Sequence, residues 1–568
     1  MIKKINILIL LMFVVNVCYS QKERKVTFVG GARSVMTNNR LVVNDTIAED
    51  TSTAKRNTGG YALIDLGVNI KPNKNTEILG MFRIKNNFGG FWGSGVTFDV
   101  RQLYMKGVVA NALRYQLGDL NLKQTAFTLF NHHADAIDSL PTVFNLQRNI
   151  VNYEKFYQKN TWRMQGANVD FGISFKNIIK EINFTGFTTR INATNFSSVP
   201  ERLMSGAVIQ IVQSNKLSAS YNINSVYDVK GTVLDSNSFT NKVQTIDASY
   251  TTKIKENNLT IAAEIGNSHY AYSVDTLAPH LKDYFIHASA SYKIAKYHAK
   301  ATIGYLEVGP EFRSIGAQSK DINYNTLPVY YDRYTNAQNI RPIALIDLIS
   351  NDNIYTRTVS SKLLSENAWY NNAMPYGLAT FNRVGAYGSI HYKKDIDAVV
   401  SYYNLNEIKG QGTLALQNFS ILKCNAKIPL QAYLKTAKKL EVQLGTQMQN
   451  TNRTSAVEIE NVNFKNTQYT AGINWEVFPD FELIAGLVKQ NAIGTHFIAD
   501  RNVYTEVTYF HQNKLDIQQQ MKAVGLMYHF SPKIYLSTIY QQSKFVDGNK
   551  QFADFNINQF NIIYNMLF

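Results

Sequence analysis

The chain has 568 residues, with Lys+Arg 58 against Asp+Glu 42, a formal charge of +16 and two cysteines, too few thiols for a disulfide framework or a cysteine metal cluster. Hydrophobic residues make up 45% and aromatic residues 12%, with Tyr 34 and Phe 31, so an average typical of soluble proteins is carried by unusually many rings. Beyond the first twenty residues there is no run of 18 or more uncharged apolar residues, which excludes a bundle of membrane-spanning helices and leaves strands as the only way to span.

The chain begins with Lys3 and Lys4, a short apolar core from Ile5 to Val17, and Cys18-Tyr19-Ser20, the three regions of a cleaved secretory signal. Residues 1–20 are therefore expected to be removed, with Gln21 first in the mature chain. Cys18 as a lipidated residue fits less well, because small residues are expected where Val17 stands. Cys424 is then the one remaining thiol, expected to be a small apolar strand residue. The excess of basic charge survives removal of the signal. Export leaves acidic lipopolysaccharide or anionic solutes as its counterpart, and not nucleic acid.

From Tyr61 onward, apolar and polar residues alternate with period two. Ala62, Ile64, Leu66, Val68 and Ile70 oppose Asp65, Gly67 and Asn69. Ile246, Ala248, Tyr250 and Ile254 oppose Thr245, Asp247, Ser249 and Lys253, and the pattern recurs at 284–294, 440–449 and 468–477. Tight turns are expected at 71–75, 176–181, 213–216, 255–258, 295–296, 478–480 and 531–533. Between them lie longer polar links at roughly 37–58, 123–159, 308–377, 451–466 and 491–518. Alternation alone also describes a soluble sandwich, but a sandwich has no reason to sort short and long links by parity. A transmembrane barrel does, with short periplasmic turns and long external loops. The expectation is an all-β, transmembrane antiparallel up-and-down β-barrel of about 22 strands, with a range of 18–22, formed by residues 21–568 as one unit. Merging weak strands, such as the one near Ala112 to Leu120, gives the lower counts.

Several stretches suggest chemistry and fall short of it. His132, His133 and Asp135 could supply metal ligands, but no third histidine lies nearby, and a solvated loop is the expectation. The glycine-rich stretch from Gly89 to Gly95 lacks the Lys-Ser or Lys-Thr ending of a phosphate-binding loop. No GxSxG and no Ser, His and acid constellation is found, so no catalytic residue, cofactor or metal is expected. His298, Lys300, Arg383, His391 and Lys393 are candidate lumen-lining cations. The link at about 308–377 carries Tyr330, Tyr331, Tyr334 and an apolar piece from Ile343 to Ile349. It is expected to fold inward and constrict the lumen, which around 22 strands is too wide for wall side chains to fill. The alternative is an outward site for a protein or glycan.

The last strand, QFNIIYNMLF, puts Phe560, Ile562, Tyr564, Met566 and Phe568 on one face and ends on an aromatic residue. This resembles the closing strand of bacterial outer-membrane barrels. With Gln21 after the cleavage site and the richness in Asn, Lys, Ile and Tyr, the chain looks like an outer-membrane barrel from the Bacteroidota. The resemblance implies that the five residues act as an insertion signal read by the barrel-assembly machinery, with integral residence in the outer membrane among lipid and lipopolysaccharide. Barrels of TonB-dependent transporters have about this size, but that family carries a plug domain before its first strand. Here strands begin too soon after Gln21 to leave room for one. The expected function is a porin-like channel for small hydrophilic solutes, with some preference for anionic ones because of the positive charge. The alternative is a non-enzymatic barrel subunit of an outer-membrane secretion, assembly or polysaccharide-handling complex, with other envelope proteins as partners.

Overall fold

A computed structural model describes residues 25–44, 55–89, 95–133, 139–156, 158–233, 238–272, 280–326, 341–363 and 366–568. The proposed signal, Asp135, Tyr330, Tyr331 and Tyr334 lie outside them. The strands are β1 (Val26–Asn44), β2 (Lys55–Asn73), β3 (Thr76–Asn87), β4 (Val96–Val109), β5 (Leu113–Leu122), β6 (Trp162–Ser174), β7 (Glu181–Asn192), β8 (Arg202–Val212), β9 (Leu217–Asp228), β10 (Phe239–Ile254) and β11 (Asn257–Tyr272). They continue as β12 (Leu281–Ile294), β13 (Ala299–Val308), β14 (Arg383–Lys393), β15 (Asp397–Asn406), β16 (Asn418–Pro429), β17 (Leu440–Arg453), β18 (Val462–Phe478), β19 (Phe481–Arg501), β20 (Val507–Ser531), β21 (Ile534–Asp547) and β22 (Asp554–Leu567).

Each strand pairs antiparallel with its sequence neighbours in one 22-stranded sheet, and β1 pairs with β22 from Gly31↔Leu567 to Asn44↔Asp554. The terminal residue completes the seam, with N–H···O bonds of 3.1 Å from Gly30 to Phe568 and 3.0 Å in return. The sheet is therefore a closed up-and-down barrel with no free edge, the form in which β structure satisfies its backbone inside hydrocarbon.

The links are sorted by parity. Those at 74–75, 110–112, 175–180, 213–216, 255–256, 295–298, 394–396, 479–480 and 532–533 close one rim, together with one longer link at 430–439 that holds helix α3 (Leu430–Leu434). The links of the other rim are longer on the whole, and two are far longer: 123–161 between β5 and β6, and 309–382 between β13 and β14. The latter contains helix α2 (Leu345–Ser350), and the former contains α1 (Thr142–Lys155). The link expected at 491–518 is mostly strand, because β19 and β20 stay paired out to Arg501↔Val507 and turn over residues 502–506.

The faces are inverted relative to a soluble protein. Ile64, Phe98, Ile246, Ile303, Ile390 and Phe560 are exposed on the outside, whereas Asn222, Gln447, Gln449, Gln468, Gln490 and Gln541 are buried on the inside. Phe560 and Phe568 stand exposed on the outer face, and Gln559, Asn561 and Asn565, of opposite parity to Phe560, are buried. Outward apolar side chains around a closed sheet form one continuous patch far larger than a soluble surface carries. Among the described residues no helix is long and apolar enough to cross a membrane.

Candidate functional site in the barrel lumen

The described parts of both long links of one rim turn into the barrel and pack against its wall. The described parts of the 309–382 link, residues 309–326, 341–363 and 366–382, take the inward course expected of it. The 123–161 link, read from sequence as an external polar loop with solvated histidines, does the same, because half of one face of α1 is apolar and has a wall to pack on. Val143, Phe144, Leu146 and Val151 are buried in one cluster with Leu345, Leu348 and Ile349 of α2 and with Ile484, Val488 and Met521 of the wall. Other parts of the two links are buried against β12, β13, β15 and β16 through Phe127, Phe312 and Met374, and against β5 to β10 through Leu129 and Ile315. Polar contacts complete the circle: Asn466 and Gln490 donate to the Trp369 carbonyl, Gln449 to that of Tyr370 at 2.9 Å, and the Leu345 N–H to Gln519 at 2.7 Å.

The wall is shaped for α1. Gly472 and Gly486 stand where the helix begins, and a Cβ on Gly486 would lie 2.8 Å from both Pro141 Cβ and Val143 Cγ1. Among the described residues no side chain of the link caps the helix N-terminus. Instead Gln443 Oε1 on β17 accepts from the Thr142 backbone N–H at 3.1 Å, and Asn474 Nδ2 donates to Thr142 Oγ1 at 2.7 Å. The wall thus satisfies one of the orphan donors that every helix start leaves.

The other end of α1 is latched by charge. Asp65 on β2, 0% exposed, accepts two bonds from Arg83, both 2.7 Å, one from the Tyr153 hydroxyl at 2.5 Å, and one from Arg101. Glu154 accepts from Arg33 at 3.2 Å and pairs with Arg83 as well. Three guanidiniums from β1, β3 and β4 therefore meet two carboxylates, one from the wall and one from the helix, in a dry site where charge-assisted bonds are strong. Burial and then the Asp65 carboxylate push the Tyr153 phenol far above its ordinary range, so it stays a donor. Phe156, with φ of 61°, ends the helix and lays its ring under Arg101 at 3.7 Å and Arg163 at 4.8 Å.

A second charged contact joins the two links to each other. Lys155 Nζ lies 2.5 Å from Asp321 Oδ2, and His133 Nδ1 lies 3.1 Å from the same oxygen. Burial alone would raise the Asp321 carboxyl, but the Lys155 ammonium and His133 outweigh it and hold the pKa below the ordinary value. His133, still partly exposed, is thus tied to the other link. Among the described residues no cluster of three or more metal-ligating side chains occurs.

The predicted cations occupy different settings. His298 is the last residue of the turn 295–298, with φ of 50°. The register puts Lys300, Arg383, His391 and Lys393 on the inner face, opposite in parity to the exposed Ile303 and Ile390. Lys300 stands across from His391 and from Lys293, while Asp397 lies 2.8 Å from His391 and 3.6 Å from Lys393. Arg383 is buried higher up, where it donates to the Ala373 carbonyl at 2.9 Å and covers the Phe419 ring at 3.6 Å. The alternation of β1 to β4 could have revealed Arg33, Asp65, Arg83 and Arg101 as inward charges. Nothing local pairs them with Glu154.

No protein-family model matches the chain, and no curated protein does. Among solved structures it is similar to OpdQ of Pseudomonas aeruginosa, at 8% identity over 95% of this chain and 98% of that one, with a TM-score of 0.32. It is also similar to the translocation pore of the P pilus usher PapC, at 7% identity over 95% and 99%, with a TM-score of 0.39. A BenF-like porin from Pseudomonas fluorescens Pf-5 matches at 7% identity over 96% and 99%, with a TM-score of 0.30. Likeness at this level says nothing about a solute or a partner.

Proposed function

We propose that the protein is an outer-membrane, porin-like channel for small hydrophilic solutes, narrowed by a plug made of its own two inward links. The observation that carries this reading is a closed barrel with an apolar outer belt and an amide-rich inner wall, filled by segments that the chain tethers at both ends. A wall needed only as a scaffold for packing would be apolar throughout its inner face, as this one is only in part, at Ile484, Val488 and Met521. This one keeps rows of Gln and Asn that match water or a hydrophilic solute once the plug shifts. Residues 1–20 would direct export, and the C-terminal strand with Phe560, Ile562, Tyr564, Met566 and Phe568 would serve insertion by the assembly machinery. Lys300, His391 and Lys393, with Lys293, would favour anions on the short-turn side. The protein needs no cofactor for this role.

Planar-bilayer recording of the purified chain tests the proposal. Replacing residues 309–382 by a short Gly-Ser linker should give ohmic steps several-fold larger than those of the intact protein. Equal conductance from both would defeat the reading.

A second reading, a barrel subunit of a larger envelope complex, is favoured by the hairpin of β19 and β20. β18 accompanies β19 only to Thr495, and β21 accompanies β20 only from Ile517. The hairpin tip therefore stands clear of its neighbours with Val503, Tyr504 and Tyr509 exposed. Co-purification of fixed partners that is lost when residues 497–512 are removed, with conductance unchanged, would favour it.

A further inference from the structure

Where the plug meets the inner faces of β14 to β19, near the long-link rim, a cavity of 360 Å³ remains. Two buried charges of opposite sign face it, Arg383 at 7% and Glu407 at 2% exposure. They are not paired with each other. Arg383 spends Nε on the Ala373 carbonyl at 2.9 Å and Nη1 on the Asn382 carbonyl at 3.0 Å, and its Nη2 meets no acceptor among the described residues. Glu407 accepts the Gln417 N–H on Oε2 at 2.8 Å, and no described residue donates to its Oε1. His496 lines the same cavity, and its Nδ1 is enclosed without a partner.

A buried charge without a complement is costly, and an opposite charge placed beside it recovers most of that cost. Here a donor and an acceptor, both charged, border one space and leave a gap that neither closes. We propose that this vestibule binds a zwitterionic amino acid, its carboxylate taken by Arg383 Nη2 and its ammonium by Glu407 Oε1. The rest of the wall carries Thr451, Gln411 and Gln417, which suit a polar side chain, the less buried charges of Glu366 and Arg453, and the apolar Phe419, Val462 and Phe464. A neutral polyol would leave both buried charges matched only by hydroxyls, and a simple anion or cation would complement one of the two and leave the other unmatched. The inference deepens the channel reading and rests on it only in treating the ligand as a solute to be passed. Binding at the vestibule does not require conduction.

Isothermal titration calorimetry on the purified full-length protein in detergent tests this, with L-glutamine as the probe. The comparison ligands are N-acetyl-L-glutamine, which lacks the ammonium, L-glutamine methyl ester, which lacks the carboxylate, and glucose. Saturable binding of L-glutamine is expected, weakened at least about tenfold by either blocking group and absent for glucose. Glu407→Gln, which keeps size and shape, should weaken L-glutamine at least about tenfold and leave N-acetyl-L-glutamine nearly unchanged. Arg383→Lys should weaken the methyl ester less than it weakens L-glutamine. No saturable heat with L-glutamine, equal affinity for glucose, or wild-type binding by folded Glu407→Gln each overturns the proposal. Binding without conductance in bilayers would defeat only the channel reading, and conductance without binding only this one.

Discussion

Asp65 shows how much depends on one inward side chain. It is fully buried and accepts bonds from Arg83, Arg101 and Tyr153 at once. Asp65→Asn would keep the volume but leave Glu154 alone to balance Arg33, Arg83 and Arg101. Removing one partner of a buried ion pair costs about 3–5 kcal/mol, and most of that would fall on the seat of α1, since the barrel ladder is untouched. The expected outcome is a folded, heat-modifiable barrel whose conductance is larger or noisier than that of the intact protein. A silent, unchanged trace would show that the latch does not hold the plug. The alternation of β2 predicts that Asp65 points inward, but not what it meets, because its partners are 18, 36 and 88 residues away.

At the scale of the element, α1 is a helix that the wall completes. Its apolar residues sit at helical spacing, Val143, Leu146, Ile150 and Val151 with Phe144 beside them, a pattern visible in the sequence once the 123–161 link is not assumed to be solvated. Its cap and its groove belong to β17, β18 and β19 through Gln443, Asn474, Gly472 and Gly486. Gly486→Leu would drive a side chain into the space held by Pro141, Val143 and Phe144. It should displace the start of α1 without altering any charge, so conductance should rise while ion selectivity stays as it was. Limited proteolysis should then reach residues 142–155, which the packed plug protects. A protease-resistant, low-conductance Gly486→Leu protein would mean that the helix tolerates the intrusion and that its seat lies elsewhere.

For the whole molecule, strand register answers to one requirement, that the lipid-facing set be apolar all the way around, while the inner face is apolar only where the plug packs, as at Ile484, Val488 and Met521. Slipping a strand by one residue would put its amides toward lipid and its Ile and Tyr into the lumen. The same register gathers Lys293, Lys300, His391 and Lys393 on one stretch of inner wall, with Asp397 as their acidic neighbour. In the barrel shortened over 309–382, Lys293→Gln combined with Lys300→Gln should shift the reversal potential in a KCl gradient toward cation preference. An unmoved reversal potential would place the selectivity-setting charges elsewhere. The tight turns at 213–216, 255–256 and 479–480 could be read from sequence because strand reversal needs locally recognisable residues. The turns at 110–112 and 394–396 and the longer link at 430–439 could not, since weak alternation beside them hides the strand ends.

By itself the sequence determined the all-β class, the alternating faces, the sorting of links by length and the aromatic closing strand, all of which are written in residues near one another along the chain. Only the tertiary structure decided that two links fill the lumen, that Glu154 reaches Arg33 and Arg83, and that Arg383 and Glu407 border one cavity without touching. Those contacts join residues far apart in the chain, and no local pattern encodes which of many inward charges will meet once 22 strands have closed into a ring.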